Sequence, residues 1–285
     1  HLQRLTNCKA EVIACDLHPK FTTTNLAKEI AEVKGLPFVQ VQHHHAHAAA
    51  LMTEHGLDDL VAITCDGYGY GLGGEAWGGE ILHSTSTSAQ FTRLAHLEPQ
   101  ALLGGDIASR YPARLTAAIL SKTGVDIQDW LLKNIKLLSY GEMEAELILN
   151  QLKRGKDIIQ TTSCGRVLDA VSALLGLCDV RSYEGEPAMK LESAAIPGKD
   201  TLQLKPQIYD DVLGTSCLLK AIFDNLGRVS VADLAHSAHV YIANGLASLA
   251  IQKAHEKGTK NVGFTGGAAC NQLLAKYIHQ VVEDA

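Results

Sequence analysis

The sequence lacks the patterns that mark several common functional classes. None of its seven cysteines forms a C-x-x-C pair, no segment is rich in lysine and arginine, and no uncharged apolar run reaches the length of about 18 residues that a membrane helix needs. Scattered cysteines indicate reduced thiols rather than a disulfide framework or a cysteine zinc site. A net charge of −6 and a pI of about 6.1 disfavour nucleic acid as the main partner. With no signal peptide at the N-terminus, we expect no membrane association and a cytoplasmic protein.

Two enzyme motifs are also missing. The chain has no G-K-[ST] phosphate loop and no H-E-x-x-H metal-peptidase sequence. These absences argue against P-loop nucleotide hydrolysis and against zincin proteolysis. What remains is a chain of 285 residues, 46% of them hydrophobic, which is long enough for one large domain or two lobes.

The hydrophobic pattern predicts alternating strands and helices in the first 65 residues and mostly helices later. This order indicates an α/β layered domain with mixed sheets and a helix-rich second half. A boundary between two lobes is predicted near residues 80–106. The predicted early elements are a strand at Glu11–Cys15, a helix at Thr24–Lys34, a strand at Phe38–Val41, a helix at Ala46–His55 and a strand from Val61. Later helices are predicted at Ile107–Lys122, Gly141–Lys153, Ser163–Leu177, Val231–Lys257 and from about Ala269, with a strand at Lys260–Thr265.

A dense group of histidines lies between a predicted strand and a predicted helix, at His43, His44, His45 and His47. On a helix, the i, i+4 pair His43 and His47 share one face and can bind one cation. About 20 residues on, Asp66 follows an apolar strand and supplies a third candidate ligand. Two histidines and one carboxylate suit iron or zinc. His44 and His45 are candidates for substrate contact or for supporting the metal ligands.

Two glycine-containing turns are candidates for binding a nucleotide. After Asp66 the chain reads Gly67-Tyr68-Gly69-Tyr70-Gly71-Leu72-Gly73-Gly74, where glycine lets the backbone aim N–H groups at an anion. This strand, glycine turn and second strand are typical of the phosphate loops of actin-like ATPases. A second turn, Gly266-Gly267, precedes a helix that starts near Asn271. We therefore predict a nucleotide between two lobes.

Two further segments contain acids whose roles the sequence leaves open. Asp169 lies one helical turn after Arg166, so it is predicted either to bind nucleotide or to pair with that arginine. The segment around Gly185 and Glu186 starts another helix. There the carboxylate of Glu186 is predicted either to cap the helix or to bind nucleotide hydroxyls.

Taken together, these motifs resemble the C-terminal carbamoyltransferase domain of the HypF family, which acts in the maturation of NiFe-hydrogenases. The same domain is more distantly similar to threonylcarbamoyl transferases of tRNA and to antibiotic O-carbamoyltransferases. The stretches that carry the resemblance are Asp16–Pro19, Val41–His47, Asp66–Gly71, Trp77–Glu80, Gly104–Asp106, Gly165–Ala170, Tyr183–Gly185 and Thr265–Gly267 with Asn271.

The resemblance implies an actin-like (ASKHA) two-lobed fold and a divalent metal, iron or zinc, held by His43, His47 and Asp66. A further aspartate ligand would come from an Asn-Asp-Gly motif that this sequence does not contain. On this interpretation residues 1–285 are a fragment of the carbamoyltransferase domain, without the first strands and the last segment. The nucleotide would contact a set of glycines and polar residues: Gly67, Tyr68, Gly69, Gly73, Gly74, Asp169, Gly185, Glu186, Gly266, Gly267 and Asn271.

The implied reaction passes a carbamoyl group from carbamoyl-adenylate, an ATP-derived donor, to the C-terminal cysteine thiol of the protein HypE. The product leads to the cyanide ligands of the hydrogenase iron. Upstream HypF domains would supply the carbamoyl-adenylate. Two alternatives stay open: an O-carbamoyltransferase that acts on a small-molecule hydroxyl, and an actin-like ATPase module without transfer activity. The histidine group argues against the ATPase module.

Overall fold

The computed structural model describes residues 5–88, 90–155 and 158–285. The chain begins with a small unit, in which a helix connects two parallel strands. Strand β1 (Ile13–Asp16) pairs with β2 (Phe38–Val41), and helix α1 (Thr22–Lys34) joins them. A left-handed Gly35 with φ 63° ends α1, a conformation that glycine adopts without a steric penalty. This sheet of two strands is separate from the main sheet.

Helix α2 (His43–His55) follows directly and carries the histidine group. The side chain of Gln42 caps it by accepting a hydrogen bond from the His45 N–H at 2.9 Å. The helix buries the stripe His44, Ala48 and Met52 at intervals of four residues. The helix therefore starts three residues before its predicted start, and the i, i+4 pair of histidines lies within its first turns.

A mixed sheet forms the centre of the molecule, with strand order β10-β3-β4-β5-β9-β8 and β7 and β6 at the side of β4. Strands β3, β4 and β5 are antiparallel, whereas β10 runs parallel to β3. The strands are β3 (Asp59–Tyr70), β4 (Ala76–Thr85), β5 (Phe91–Leu97), β6 (Gln100–Ala101), β7 (Gln160–Thr161), β8 (Ile208–Tyr209), β9 (Val212–Leu213) and β10 (Val262–Thr265).

The predicted glycine loop is mostly strand. Backbone pairing with β4 continues to Tyr70, with a register shift between Cys65 and Gly69. Such a bulge re-aims the side chains within it, and here the affected segment contains Asp66. The connection to β4 is thus a short turn rather than a long open loop.

The second half is helical, as predicted, and its helices cover the sheet. They are α3 (Asp106–Arg110), α4 (Ala113–Ser121), α5 (Ile127–Lys133), α6 (Gly141–Arg154), α7 (Cys164–Leu174), α8 (Glu186–Ala195), α9 (Ser216–Asp224), α10 (Val231–Lys257) and α11 (Gln272–Glu283), with 3-10 turns at Ile135–Leu137 and Gly267–Cys270. The single helix predicted at Ile107–Lys122 is wrong. It breaks at Tyr111 and Pro112, because proline has no N–H to continue the helical bonding.

Helix α10 is the central element of the core. Seventeen of its residues are buried, on all sides of the helix, so it packs against the sheet and against α8 and α11 together. Ser230 caps it by accepting a hydrogen bond from the Asp233 N–H at 3.1 Å, as the capping-box spacing predicts. Among the described residues, no helix is both long and apolar enough to cross a membrane. The predicted lobe boundary near residues 80–106, where β4 ends and β5 and β6 lie, stays a prediction.

Candidate functional site

The histidine pair and Asp66, which lies in the bulge of β3, come together at one point. Asp66 Oδ2 lies 3.1 Å from His43 Nε2 and 3.3 Å from His47 Nε2. The three potential ligand atoms all lie within 4.8 Å of one another. Nitrogen and oxygen ligands at about 2.0–2.2 Å from a tetrahedral zinc are separated by roughly 3.3–3.5 Å. The arrangement therefore fits the predicted metal ligand set in both chemistry and spacing, while occupancy by a metal stays a proposal.

Asp16 holds His43 from the other side. The carboxylate of Asp16 lies 2.9 Å from His43 Nδ1 and also accepts a hydrogen bond from the His18 N–H. Such a carboxylate holds Nδ1 and orients the ring so that Nε2 is directed at Asp66, where a bound cation would lie. The sequence analysis did not assign Asp16 a role. Its place in the Asp16–Pro19 stretch was the available signal.

Hydrogen bonding in the cluster shifts two pKa values in opposite directions. Bonding to Asp66 raises the pKa of His43; burial opposes this, and Asp16 adds to the increase. Burial acts to raise the pKa of Asp66, but hydrogen bonds from His43, His47 and the Gly67 N–H outweigh it and lower the pKa. Asp66 is therefore a ready anionic ligand.

His44 and His45 have other surroundings. His44 is fully buried, and its Nδ1 lies 3.2 Å from the Gln42 amide nitrogen. Burial, reinforced by the charge of His43, lowers the pKa of His44 to about 3, so its ring is neutral. The ring of His45 packs near Phe91, with centroids 4.8 Å apart. Neither histidine lines the two clefts described next.

Two clefts meet at Asp66, whereas His43 lines only the second of them and His47 lines neither. The first cleft, of about 380 Å³, runs from Asp66 to the Gly266–Gly267 turn and the start of α8. The second cleft, of about 390 Å³, opens on the side of His43 and Tyr68. Four residues line both of them: Asp66, Gly67, Arg166 and Glu184.

Helix α7 is fixed to this shared wall by its cap. Ser163 Oγ accepts a hydrogen bond from the Arg166 N–H at 3.1 Å and lies 2.7 and 2.9 Å from the carbonyl oxygens of Asp66 and Gly67. A Cβ atom on Gly165 would lie 3.0 Å from the Gly67 Cα. Glycine at position 165 thus lets the helix approach the end of β3 closely.

The second glycine turn packs against the same strand. Gly266 has a φ of 96°, and a Cβ there would overlap the carbonyl oxygen of Cys65. At Gly267 a Cβ would lie 2.9 Å from Asp66 Oδ1. The absence of side chains therefore brings the backbone after β10 next to the candidate metal ligand, on the wall of the first cleft.

The predicted nucleotide contacts divide into four groups. Those that line the first cleft are Gly67, Asp169, Gly185, Gly267 and Asn271, whereas Tyr68 lines the second. Gly266 forms the turn beside the first cleft. The remaining predicted residues, Gly69, Gly73, Gly74 and Glu186, line neither cleft.

For those four the structure gives other reasons for the residue type. A Cβ on Gly69 would overlap the ring of His44, and Gly73 and Gly74 form the turn between β3 and β4. The carboxylate of Glu186 accepts hydrogen bonds from the N–H and the hydroxyl of Ser182, in the segment before α8, and it pairs with Lys190 at 2.8 Å. The bonds to Ser182 are made outside the helix, so neither the capping role nor the nucleotide role predicted for Glu186 is decided by them.

Arg166 and Asp169 form a buried pair on the first cleft. Arg166 Nη2 lies 2.9 Å from Asp169 Oδ2, as the ion-pair alternative predicts. Arg166 is 7% exposed, and within the described residues its Nε–H has no hydrogen-bond partner. Burial raises the pKa of Asp169 to about 6. Sequence reasoning assigned Arg166 only this ion pair and missed its position beside Asp66.

Asn271 is held in place from behind. Its Oδ1 accepts a hydrogen bond from the Leu274 N–H, and its Nδ2 lies 3.1 Å from His239 Nε2. His239 Nδ1 lies 2.8 Å from the Ala235 carbonyl oxygen, which makes Nδ1 the protonated nitrogen and Nε2 the acceptor. These bonds orient the Asn271 amide at the edge of the first cleft.

Comparison with known proteins identifies the family of the chain. The family described as "Carbamoyltransferase, Kae1-like Domain, second subdomain" matches residues 62–285, and the "HypF Kae1-like domain" matches residues 1–54. The fold and the matched regions define a Kae1-like domain of the actin-like class. The chain belongs to the HypF family, in its C-terminal carbamoyltransferase domain, which confirms the resemblance and the fold class expected from the sequence.

The similar proteins are mostly much longer than this chain. It is 40% identical to the probable carbamoyltransferase HypF of Methanocaldococcus jannaschii, over 98% of this chain and 36% of that protein. With the carbamoyltransferase HypF homolog of Cupriavidus necator it shares 33% identity, over 94% of this chain and 69% of that one. The chain thus spans about a third of the length of the first relative and about two thirds of the second.

Two solved structures are similar throughout. The crystal structure of T. kodakarensis HypF matches with a TM-score of 0.89 and 41% identity, covering 96% of this chain and 36% of that one. A full-length HypF in its phosphate- and nucleotide-bound form matches with a TM-score of 0.85 and 30% identity, covering all of this chain and 44% of that one.

Proposed function

We propose that this chain transfers a carbamoyl group from carbamoyl-adenylate to the C-terminal cysteine thiol of HypE, as a step in making the cyanide ligands of the NiFe-hydrogenase centre. The observation that carries the proposal is the convergence of His43, His47 and Asp66, with Asp66 on the wall that the two clefts share. Family membership and the nucleotide-bound relative support a nucleotide in one of them. In the longer polypeptide, upstream domains would supply the carbamoyl-adenylate.

In the proposed reaction the acceptor sulfur forms a bond to the carbamoyl carbon and loses its proton to solvent. The bond from that carbon to the adenylate phosphate oxygen breaks, and AMP leaves with the electron pair. A divalent ion on His43, His47 and Asp66, iron or zinc, would supply Lewis-acid polarisation when bound. Holding donor and acceptor at the correct distance contributes a large part of the rate in such transfers.

The residues of the chain have separate tasks. The backbone at Gly67 and Gly267 and the amide of Asn271 face the adenylate in the first cleft. Arg166 lines both clefts together with Asp66, so its charge would stabilise the departing phosphate. Asp16 keeps His43 Nε2 directed at the cluster.

The test is incubation of the chain with metal, carbamoyl-adenylate and a peptide that ends in cysteine, followed by mass measurement of the peptide. We expect one added carbamoyl group on the thiol. Transfer to a hydroxyl compound instead would favour the small-molecule alternative, and transfer to neither would contradict the proposal. Metal analysis of the purified chain tests the cluster separately.

His43→Ala separates chemistry from binding. The variant should lose transfer, because it removes a metal ligand, while its nucleotide affinity changes by no more than about tenfold, or about 1.4 kcal/mol. Nucleotide binding is measured by titration with ATP. An equal loss of transfer and of ATP affinity would contradict the assigned division of tasks.

A further inference from the structure

The second cleft continues outward to the surface. It shares Ser109, Arg181 and Glu184 with an outer cleft of about 550 Å³ that Arg110, Ser182 and Tyr183 complete. Going inward, the path therefore runs from the outer cleft past Ser109 to His43 and Asp66. The first cleft reaches the same cluster from the side of α8 and the 3-10 turn.

We infer that the second and outer clefts are the entry path of the acceptor, and that the first cleft holds the donor. This inference rests on the proposed function. A transfer needs both reactants at one point, with the attacking atom about 3–3.5 Å from the carbon. The shared wall of Asp66, Gly67 and Arg166 is where two occupants of different clefts meet.

The charges along the path fit a peptide tail with one carboxylate. Arg181 has no ion-pair partner among the described residues, and its Nε–H donates to the Tyr183 carbonyl oxygen at 3.2 Å. The other charged residues that line the second cleft are Asp66, Asp106, Glu184 and Arg166. The other arginine of this cleft, Arg166, is paired with Asp169, so the unpaired guanidinium of Arg181 is the one that suits a single carboxylate.

A thiol on the last residue of a protein has such a carboxylate beside it. With the sulfur at the cluster, the terminal carboxylate of the same residue would lie farther out along the path, toward Arg181. We therefore assign Arg181 the role of binding the terminal carboxylate of the acceptor.

Blocking each cleft separately tests this assignment. Ser109 lines the second and outer clefts but not the first, and Ala188 lines the first but not the others. Ser109→Trp should reduce carbamoyl transfer to a cysteine-terminated peptide by at least about tenfold, and leave the affinity for ATP within about twofold. Ala188→Trp should weaken ATP binding by at least about tenfold.

Ser121→Trp is the matched control. Like Ser109, Ser121 is a helical serine whose Oγ donates to the carbonyl oxygen three residues before it, but Ser121 lines none of these clefts. This variant should keep both activities. Circular dichroism and thermal melting establish that each variant is folded. The proposed acceptor path is wrong if folded Ser109→Trp transfers the carbamoyl group at the wild-type rate. It is also wrong if this variant loses affinity for ATP together with transfer.

The role of the terminal carboxylate is tested with two cysteine-terminated peptides of the same sequence. One ends in a free carboxylate and the other in a carboxamide. The wild type should have a lower KM for the acid, and Arg181→Gln should raise the KM for the acid to that of the amide, with little effect on kcat. Equal KM values in the wild type would overturn the role of Arg181. A wild type that transfers to neither peptide would contradict the proposed function itself, and the acceptor path would fall with it.

Discussion

At the scale of single residues, the site depends on side chains that hold other side chains. Asp16 bonds to the side chain of His43, a proposed metal ligand, and His239 bonds to the side chain of Asn271, which lines the first cleft. Their partners lie 27 and 32 residues away in sequence. One sequence gives no means to pair residues at such distances, so these contacts had to come from the structure.

Replacing Asp16 should weaken metal binding without removing a ligand. In Asp16→Asn the carboxylate that fixes the His43 ring is lost, and we expect metal affinity to fall about 10–100-fold. Competition with a chelator measures the affinity for zinc. Asp210→Asn changes an exposed aspartate in the same way and should keep wild-type affinity. Unchanged affinity in Asp16→Asn would show that Asp16 does not orient His43.

His239 makes stability depend on pH. Burial lowers its pKa to about 4, whereas the unfolded chain takes up a proton near pH 6.5. The stability that neutral His239 contributes is therefore present above about pH 6.5 and lost as the pH falls toward 4. Between about pH 7 and pH 5 the loss should be about 2 kcal/mol, from the linkage of proton binding to folding.

His239→Gln removes the titrating group and keeps an acceptor for Asn271. Urea unfolding at the two pH values should show a smaller loss of free energy in this variant than in the wild type, by about 2 kcal/mol. The same pH dependence in both proteins would mean that His239 is not the responsible group.

At the scale of elements, the capped start of α7 joins the helix to the metal cluster. Ser163→Ala should lower the free energy of unfolding by about 1 kcal/mol through loss of the cap. It should also weaken metal binding, because Ser163 contacts the carbonyl oxygens of Asp66 and Gly67.

Ser230→Ala provides the matched comparison. Ser230 caps α10 in the same way but does not contact the cluster. Urea unfolding should give similar destabilisation for the two variants, and metal titration should show weaker binding only for Ser163→Ala. Weaker metal binding in both would indicate a general effect of lost stability rather than the contact at Asp66.

The elements were largely predictable from sequence because most have strong local signals. Val231–Lys257 and Phe38–Val41 were predicted with the observed bounds, since cap residues and turn glycines mark their ends. The glycine-rich stretch after Asp66 was not, because glycine disfavours strands locally while pairing with β4 keeps the strand intact. Pairing with a distant part of the chain therefore determines the secondary structure of that segment.

The candidate site was predictable to a smaller extent. The spacing of His43 and His47 on a helix is a local pattern, and the structure places them as that pattern requires. The role of Arg166 was hidden because an i, i+3 pair with Asp169 already explains an arginine. Only the packing of α7 on β3 shows that the same guanidinium faces two clefts.

At the scale of the whole molecule, metal binding should stabilise the fold. Zinc at about 100 times its dissociation constant adds about 2.7 kcal/mol to a native state that alone binds it, which corresponds to a rise in Tm of about 5 °C or more. His47→Ala should lose this rise, while His55→Ala, which changes an exposed histidine at the end of α2, should keep it. A melting temperature independent of zinc in the wild type would contradict the proposed ligand set.

The ring of His43 also connects two parts of the chain. One nitrogen bonds to Asp16 at the end of β1, and the other bonds to Asp66 in the bulge of the long β3 strand. The order of the small two-stranded unit should therefore depend on the cluster. An ion bound to Nε2 would fix the His43 ring and with it the contact to Asp16, and amide hydrogen exchange across β1 and β2 should become slower. Chelation would then loosen the whole unit, although none of the three proposed ligands lies in it.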